Sequence, residues 1–160
     1  MQEEHIEQLI VRYIKDGDVV SIGSSELGEK FIKRLALALE EEHIPIDHIS
    51  FVPTSMQTAA IASSLGLPIA DINDVEIDVA IEFVDMVDDN YNFIKRNSSS
   101  FVRDKMIAQS AGILIAITNE EGFVKKLKGK IPFEVATFGW KRTMNQLDSL
   151  GEARRRMKEE

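Results

Sequence analysis

The sequence contains no cysteine. Disulfides, thiolate metal sites and a cysteine nucleophile are therefore excluded, and a reducing compartment fits. Its three histidines, His5, His43 and His48, fall on a predicted helix, a turn and a strand start without metal-ligand spacing. No metal and no other cofactor is expected. No apolar run approaches the ~20 residues needed to span a bilayer, so no membrane association is expected. The opening MQEEHIEQLI is acidic and amphipathic, the opposite of a secretory signal's basic and apolar order, and a cytoplasmic location is expected. Positive charge is scarce: 19 Lys and Arg stand against 27 Asp and Glu, a net charge of −8. That balance disfavours a grip on nucleic acid or anionic lipid. The run Arg154-Arg155-Arg156 is flanked by Glu152, Glu159 and Glu160 and reads as a solvated helix end. No repeat, low-complexity tract or linker appears in the 160 residues, and one domain over 1–160 is expected.

What is present is an alternation of strand and helix patterns in a chain that is 44% hydrophobic. Ile6, Leu9, Ile10 and Tyr13 have helical spacing, and Asp16-Gly17 ends that run. DVVSIG is a short β-branched strand leading into Gly23-Ser24-Ser25. From Glu26, the spacing of Leu27, Phe31, Leu35, Leu37 and Leu39 predicts a helix packed on one face. HISFVP reads as a strand, MQTAAIASSLG as a small-residue helix, IADIND as a short strand and turn, and VEIDVAIEFV as a buried strand. A helix over 100–110, the strands GILIAIT and FEVATF, and a mostly helical end from about Gly139 complete the pattern. Phe138 and Trp140 are expected in the core. Such an order implies an α/β fold: an open, mostly parallel, Rossmann-like sheet with helices on both faces. Ligands of such sheets bind beyond the carboxyl ends of the strands, so the loops after each strand carry the candidate chemistry.

The stretch from Ile81 to Ala108 holds five acidic and four basic residues around a triple serine. Side chains alternate along a strand, so Glu82 and Asp85 converge only if the chain turns near Phe83–Val84. From residue types alone this is either a hydrated loop or a strip whose carboxylates and lysine meet a small substrate.

The segments DGDVVSIGSSELGEKFIKRL, FVPTSMQTAAIASSLGLPIADIND, IDVAIEFVD, FIKRNSSSFVRDKMIA and PFEVATFGW occur in the order expected for ribose-5-phosphate isomerase of the A type. The sequence resembles that family from about Tyr13 to Trp140. The resemblance implies an aldose–ketose isomerase that interconverts ribose 5-phosphate and ribulose 5-phosphate through an enediol, in the pentose phosphate pathway, without a metal. It further implies that Asp104, in Arg103-Asp104-Lys105, holds the position of the catalytic base, where the family has glutamate. Glu82 and Asp85 stand for the family's two aspartates, and Lys95 for its lysine. Gly23, Ser24, Ser25, Thr54 and Ser55 occupy substrate-lining turns. The alternative is a non-catalytic relative that binds or senses a sugar phosphate or another small metabolite. A homo-oligomer, most simply a dimer, is the expected assembly.

Two loops depart from the family pattern. At the predicted phosphate loop, Gly23-Ser24-Ser25-Glu26-Leu27, a hydroxyl position has become Glu26, and a carboxylate there would repel a phosphate. Ser24 or Ser25 caps the helix in either case. After Lys95, the family's glycines are replaced by Arg96-Asn97-Ser98-Ser99-Ser100, where Arg96, Ser98 and Ser99 offer a replacement anion site. A further family lysine is absent near Glu121-Gly122, with Lys125 or Lys126 as substitutes. The family's small C-terminal α/β subdomain has no counterpart within this sequence.

Overall fold

The computed structural model describes residues 6–156 of the chain. His5, the first residues with it, and Met157–Glu160 lie outside the described residues, as does the side chain of Leu9. Four parallel strands form the main sheet: β1 (Val19–Ile22), β2 (Ser50–Pro53), β3 (Ile77–Phe83) and β6 (Ala111–Ile117), in the order β2-β1-β3-β6. Between β3 and β6, β4 (Met86–Val87) and β5 (Phe93–Ile94) pair antiparallel as a small ribbon. The helices are α1 (Ile6–Val11), α2 (Glu26–Glu41), α3 (Met56–Ser64), α4 (Phe101–Ser110) and α5 (Trp140–Leu147).

Strand alternation divides the side chains between two faces. Val20, Ile22, Phe51, Val79 and Ile81 enter the larger core, with Ile10 and Ile14, Phe31, Ile32, Leu35 and Leu39 of α2, and Ala62 of α3. Val52 and Ala80 pack with Ile107 of α4 in the smaller core on the other side, where Ile77, at the first position of β3, joins them. Both faces of the central strands are thus dry, which is why these strands read as apolar runs. Each buried Ile, Leu or Phe contributes about 1.5–3 kcal/mol relative to exposure.

Local chemistry sets the helix starts. Ser25 caps α2, accepting from Gly28 N–H at 2.9 Å, and Ser55 caps α3 in a capping box with Thr58. Ser100 caps α4, accepting from Arg103 N–H. On α2 the buried face is Gly28, Phe31, Ile32, Leu35, Ala36, Ala38 and Leu39, whereas Leu27 and Leu37 are exposed. The expected apolar face therefore holds for three of its five members: Leu37 points off the i, i+4 row of Phe31, Leu35 and Leu39, and Leu27, on that row but in the first turn of α2, is 56% exposed.

Three expectations near the C-terminus fail together. FEVATF is irregular and unpaired, so β6 stays at the sheet edge with Ile113 and Leu114 exposed. Without a strand to pack beneath, Phe138 is 96% exposed and Trp140 only half-buried, its ring facing the Arg155 guanidinium at 5.2 Å. Helix α5 ends at Leu147 rather than running to the terminus, with Asp148 as its C-cap and a turn through Gly151. The arginine run consequently lies in irregular chain, not on a helix end.

Candidate active site

Register places the strand ends together. Ile22 pairs with Pro53 on one side and with Ile81 on the other, and Phe83 pairs with Ile117. The chain order reverses between β1 and β3, since β2 lies on one side of β1 and β3 on the other. Open α/β sheets bind ligands at such a crevice. Gly23 N–H donates to Ile81 O at 2.8 Å, extending the β1–β3 ladder by one residue and setting Gly23 beside Glu82. A side chain at Gly23 would run into the Glu82 carboxyl, so only glycine admits that approach.

Glu82 lies on the α4 side of β3, two residues beyond Ala80, and is 1% exposed. Lys95, just after β5, donates from Nζ to Glu82 Oε2 and to Asp104 Oδ2, each at 2.6 Å. Asp104, in the first turn of α4, is also buried. Three segments distant in sequence thus bring two carboxylates onto one ammonium. Burial pushes the Glu82 carboxyl up to about 7, with Lys95 opposing that rise and Asp104 adding to it. If every group is ionised, the cluster carries one excess negative charge. Proton uptake by Glu82 removes it.

Asp104 is further held by Ser98, whose hydroxyl donates to Oδ2 at 2.6 Å, and by Ser24, whose hydroxyl donates to Oδ1 at 3.2 Å. The Ser24 and Ser98 hydroxyls lie 3.1 Å apart. Glu82, Lys95 and Asp104 line a hollow of ≈ 390 Å³ together with Lys105, Asn92 and Phe101. On the other side of the serine pair, a second hollow of ≈ 400 Å³ is lined by Ser24, Ser25, Ser55, Ser98, Ser99 and Arg156, with Glu26 and Glu29 also on its wall. In the turn between β2 and α3, the two hydroxyls part company: Thr54 is buried with its hydroxyl on Ile22 O, while Ser55 faces the second hollow.

Other residues singled out from the sequence go elsewhere. Asp85 accepts from the Arg96 backbone N–H at 2.7 Å, and its own N–H donates to Ile94 O; among the described contacts none joins it to the Glu82–Lys95–Asp104 cluster. Arg96 reaches the carbonyls of Lys128 and Lys130 and lines neither hollow. Lys125 and Lys126 line neither hollow, whereas Lys105 lines the first. Glu26 turns along its helix to Lys30 at 2.7 Å, and that ammonium holds its carboxyl below the usual range. In the turn between β4 and β5, Asp88, a residue given no role above, spends its carboxylate on the N–H groups of Asn90 and Asn92. Among the described residues no group of three or more His, Cys, Asp or Glu is placed to hold a metal ion. Sequence reasoning missed Arg156. Its acidic flanks masked a guanidinium that the chain's return path brings to the serine-lined hollow.

A parallel α/β sheet with a buried carboxylate–lysine cluster at its switch point defines a Rossmann-like protein. The chain belongs to the ribose 5-phosphate isomerase A (phosphoriboisomerase A) family, whose profile matches residues 50–160. It is 35% identical over 146 residues to ribose-5-phosphate isomerase A 2 of Oceanobacillus iheyensis, spanning 90% of this chain and 64% of that protein. It is 34% identical over 149 residues to ribose-5-phosphate isomerase A of Prochlorococcus marinus, spanning 91% of this chain and 62% of that protein. A solved D-ribose-5-phosphate isomerase in complex with phospho-erythronic acid superposes with a TM-score of 0.78 at 32% identity, covering 91% of this chain and 64% of the other. The Plasmodium falciparum enzyme, at 24% identity, shares the fold with a TM-score of 0.80 over 98% of this chain and 71% of its own. The chain thus spans a little under two thirds of the length of the curated relatives it matches.

Proposed function

We propose that this protein is an aldose–ketose isomerase acting on ribose 5-phosphate and ribulose 5-phosphate in the cytoplasm. The observation that carries the reading is Lys95 Nζ held at 2.6 Å from both Glu82 and Asp104, all three side chains buried at the wall of one hollow. Isomerisation needs a base to lift the C2 proton and return it to C1. It also needs a cation to steady the enediolate oxygen. Two carboxylates and a lysine meet that need without a metal, provided water is largely kept out. The relatives' names and the phosphorylated sugar acid in a solved relative support the substrate class.

The carbonyl end of the sugar sits against Glu82, Lys95 and Asp104. The phosphate end enters the serine-lined hollow, where Arg156 supplies a planar donor suited to phosphate oxygens. Ser24, Ser25, Ser55, Ser98 and Ser99 supply hydroxyls there. Gly23 serves by its smallness and Thr54 by fixing the turn. Asp85 and Arg96 act outside the reacting centre, fixing the Lys95 loop through their mutual contact. The exposed apolar side chains around the β6 edge support assembly with a second copy.

The test is conversion of ribose 5-phosphate by wild type, Lys95→Ala and Arg156→Ala. Wild type is expected to turn over. Lys95→Ala should lower kcat/KM by ~100-fold or more, and Arg156→Ala should raise KM roughly 10-fold, the scale of one charged hydrogen bond. Thermal stabilisation by ribose 5-phosphate without any turnover would instead support the sensing alternative and reject the isomerase.

A further inference from the structure

Two hydroxyls are claimed from two sides. Ser24 and Ser98 stand on the wall of the serine-lined hollow, and both also bond Asp104, which lines the other hollow. A serine hydroxyl carries a single proton, so a strong bond to one acceptor leaves little for another. Here Ser98 gives its proton to Asp104 Oδ2 at 2.6 Å, while its oxygen accepts from the Ser100 N–H at 3.0 Å. Ser24 has Asp104 Oδ1 at 3.2 Å and the Ser98 oxygen at 3.1 Å within reach of its proton. The two hydroxyls are therefore linked, and a pull on one is felt by the other.

The two oxygens of Asp104 do not depend on them equally. Oδ2 also accepts from Lys95 at 2.6 Å and keeps that partner if Ser98 turns away. Oδ1 relies on Ser24 alone, through its hydroxyl and, at 3.5 Å, its N–H. Turning the Ser24 hydroxyl toward the serine-lined hollow leaves that oxygen nearly bare. A buried acceptor without a partner is unfavourable, and a ligand that donates to it relieves the deficit.

We propose that an oxyanion in the serine-lined hollow draws the Ser24 and Ser98 hydroxyls off Asp104 and thereby opens an oxygen of Asp104 to the sugar, so that the phosphate end of the substrate raises turnover and not only affinity. The inference rests on the isomerase reading above, with phosphate in one hollow and the carbonyl end in the other. Phosphate oxygens are strong acceptors of hydroxyl protons, and Arg156 on the same wall favours an anion there. Of the two carboxylates on that wall, Glu26 is turned to Lys30 at 2.7 Å. Binding energy from a remote, non-reacting group is in this way expressed at the reacting centre. Ser24 and Ser98 become the residues that select a phosphorylated sugar by rate.

The experiment splits the substrate in two. D-Erythrose is ribose 5-phosphate without its terminal phosphorylated carbon, and inorganic phosphite supplies the missing anion. Isomerisation of D-erythrose is followed by proton NMR, with and without phosphite, beside ribose 5-phosphate as the reference substrate. Saturating phosphite should accelerate the wild type on D-erythrose ~10–100-fold, the usual scale of coupling between two sites. A double variant, Ser24→Ala with Ser98→Ala, has no hydroxyl protons to redirect, and its acceleration should fall to ~2-fold or less. Ser98→Thr keeps the hydroxyl and should keep most of the acceleration. Arg156→Ala should need roughly 10-fold more phosphite to reach the same final acceleration, which separates holding the anion from relaying its presence. A wild type that turns over ribose 5-phosphate but gains nothing from phosphite on D-erythrose overturns the coupling and leaves the isomerase reading standing. So does an acceleration that survives in the double alanine variant. A wild type inactive on ribose 5-phosphate removes the isomerase reading, and this inference with it.

Discussion

A carboxyl that is 1% exposed and bonded through a single oxygen, as Glu82 is, weighs on the stability of the fold that contains it. Its pKa is raised from 4.5 to about 7, chiefly by desolvation. Between those values the folded chain keeps a proton that the unfolded chain has released. The Glu82 contribution to stability is therefore greatest below pH 4.5, falls as pH rises through 7, and is level above that. Glu82→Gln should abolish this dependence and stand about 3 kcal/mol nearer its acid-side stability than wild type at pH 8, as read by urea denaturation at several pH values. Removing Glu82 also leaves Lys95 in a neutral pair with Asp104, so the usual cost of an orphaned buried charge is avoided. A steeper loss for Glu82→Gln than for wild type at pH 8 would contradict this account. Residue types alone announced the charges of this cluster. They did not announce that Asp85, three residues on, would turn to the Arg96 amide while Glu82 faced α4.

Elements supply the geometry. The β1 end and the α2 start are joined by three residues with three different roles. Gly23 permits the close approach to β3, Ser24 places a hydroxyl on Asp104, and Ser25 caps the helix. Gly23→Ala adds a methyl against the Glu82 carboxyl. It should push Glu82 off Lys95, lower kcat at least ~10-fold, and cost about 1–3 kcal/mol by overpacking, measured by turnover and denaturation. Unchanged turnover would show that the β1–β3 approach is not needed. Strand and helix alternation was most legible at α2, where the spacing of Phe31, Leu35 and Leu39 agreed with a capping serine just before the helix. The β4–β5 ribbon was not legible, since its strands are two residues long and sit in a charged stretch. FEVATF had β-forming residues but no pairing partner, and a strand pattern does not make a strand without a neighbouring ladder.

At the scale of the whole molecule, Ile113 and Leu114 on the edge strand β6 are exposed, as are Ile131, Phe133 and Phe138 in the irregular chain that follows. Exposed apolar area around an unpaired edge strand favours association. With a net charge of −8 working against non-specific clumping, association should be limited and specific. Sedimentation velocity across a concentration series should show a dimer. Ile113→Lys with Phe138→Lys should shift it to monomer with little change in melting temperature, because neither side chain packs in the core. An unaltered mass would place the interface elsewhere. The path of the chain after α5 also belongs to this scale, since only the folded course brings Arg156 beside Ser24 and Ser25.

By itself the sequence determined the parallel α/β alternation, the cap serines and the charge inventory of the cluster, because these follow from apolar periodicity, hydroxyls before helices and unchanging residue types. The tertiary structure alone decided which acid is clamped and which is left with a bare oxygen, where Asp85 and Arg96 point, and that an arginine near the end of the described chain lines a hollow at the strand tips. Those outcomes depend on long-range register and desolvation, which arise only when β1, β3, α4 and the loop after β5 are packed around the same few ångströms.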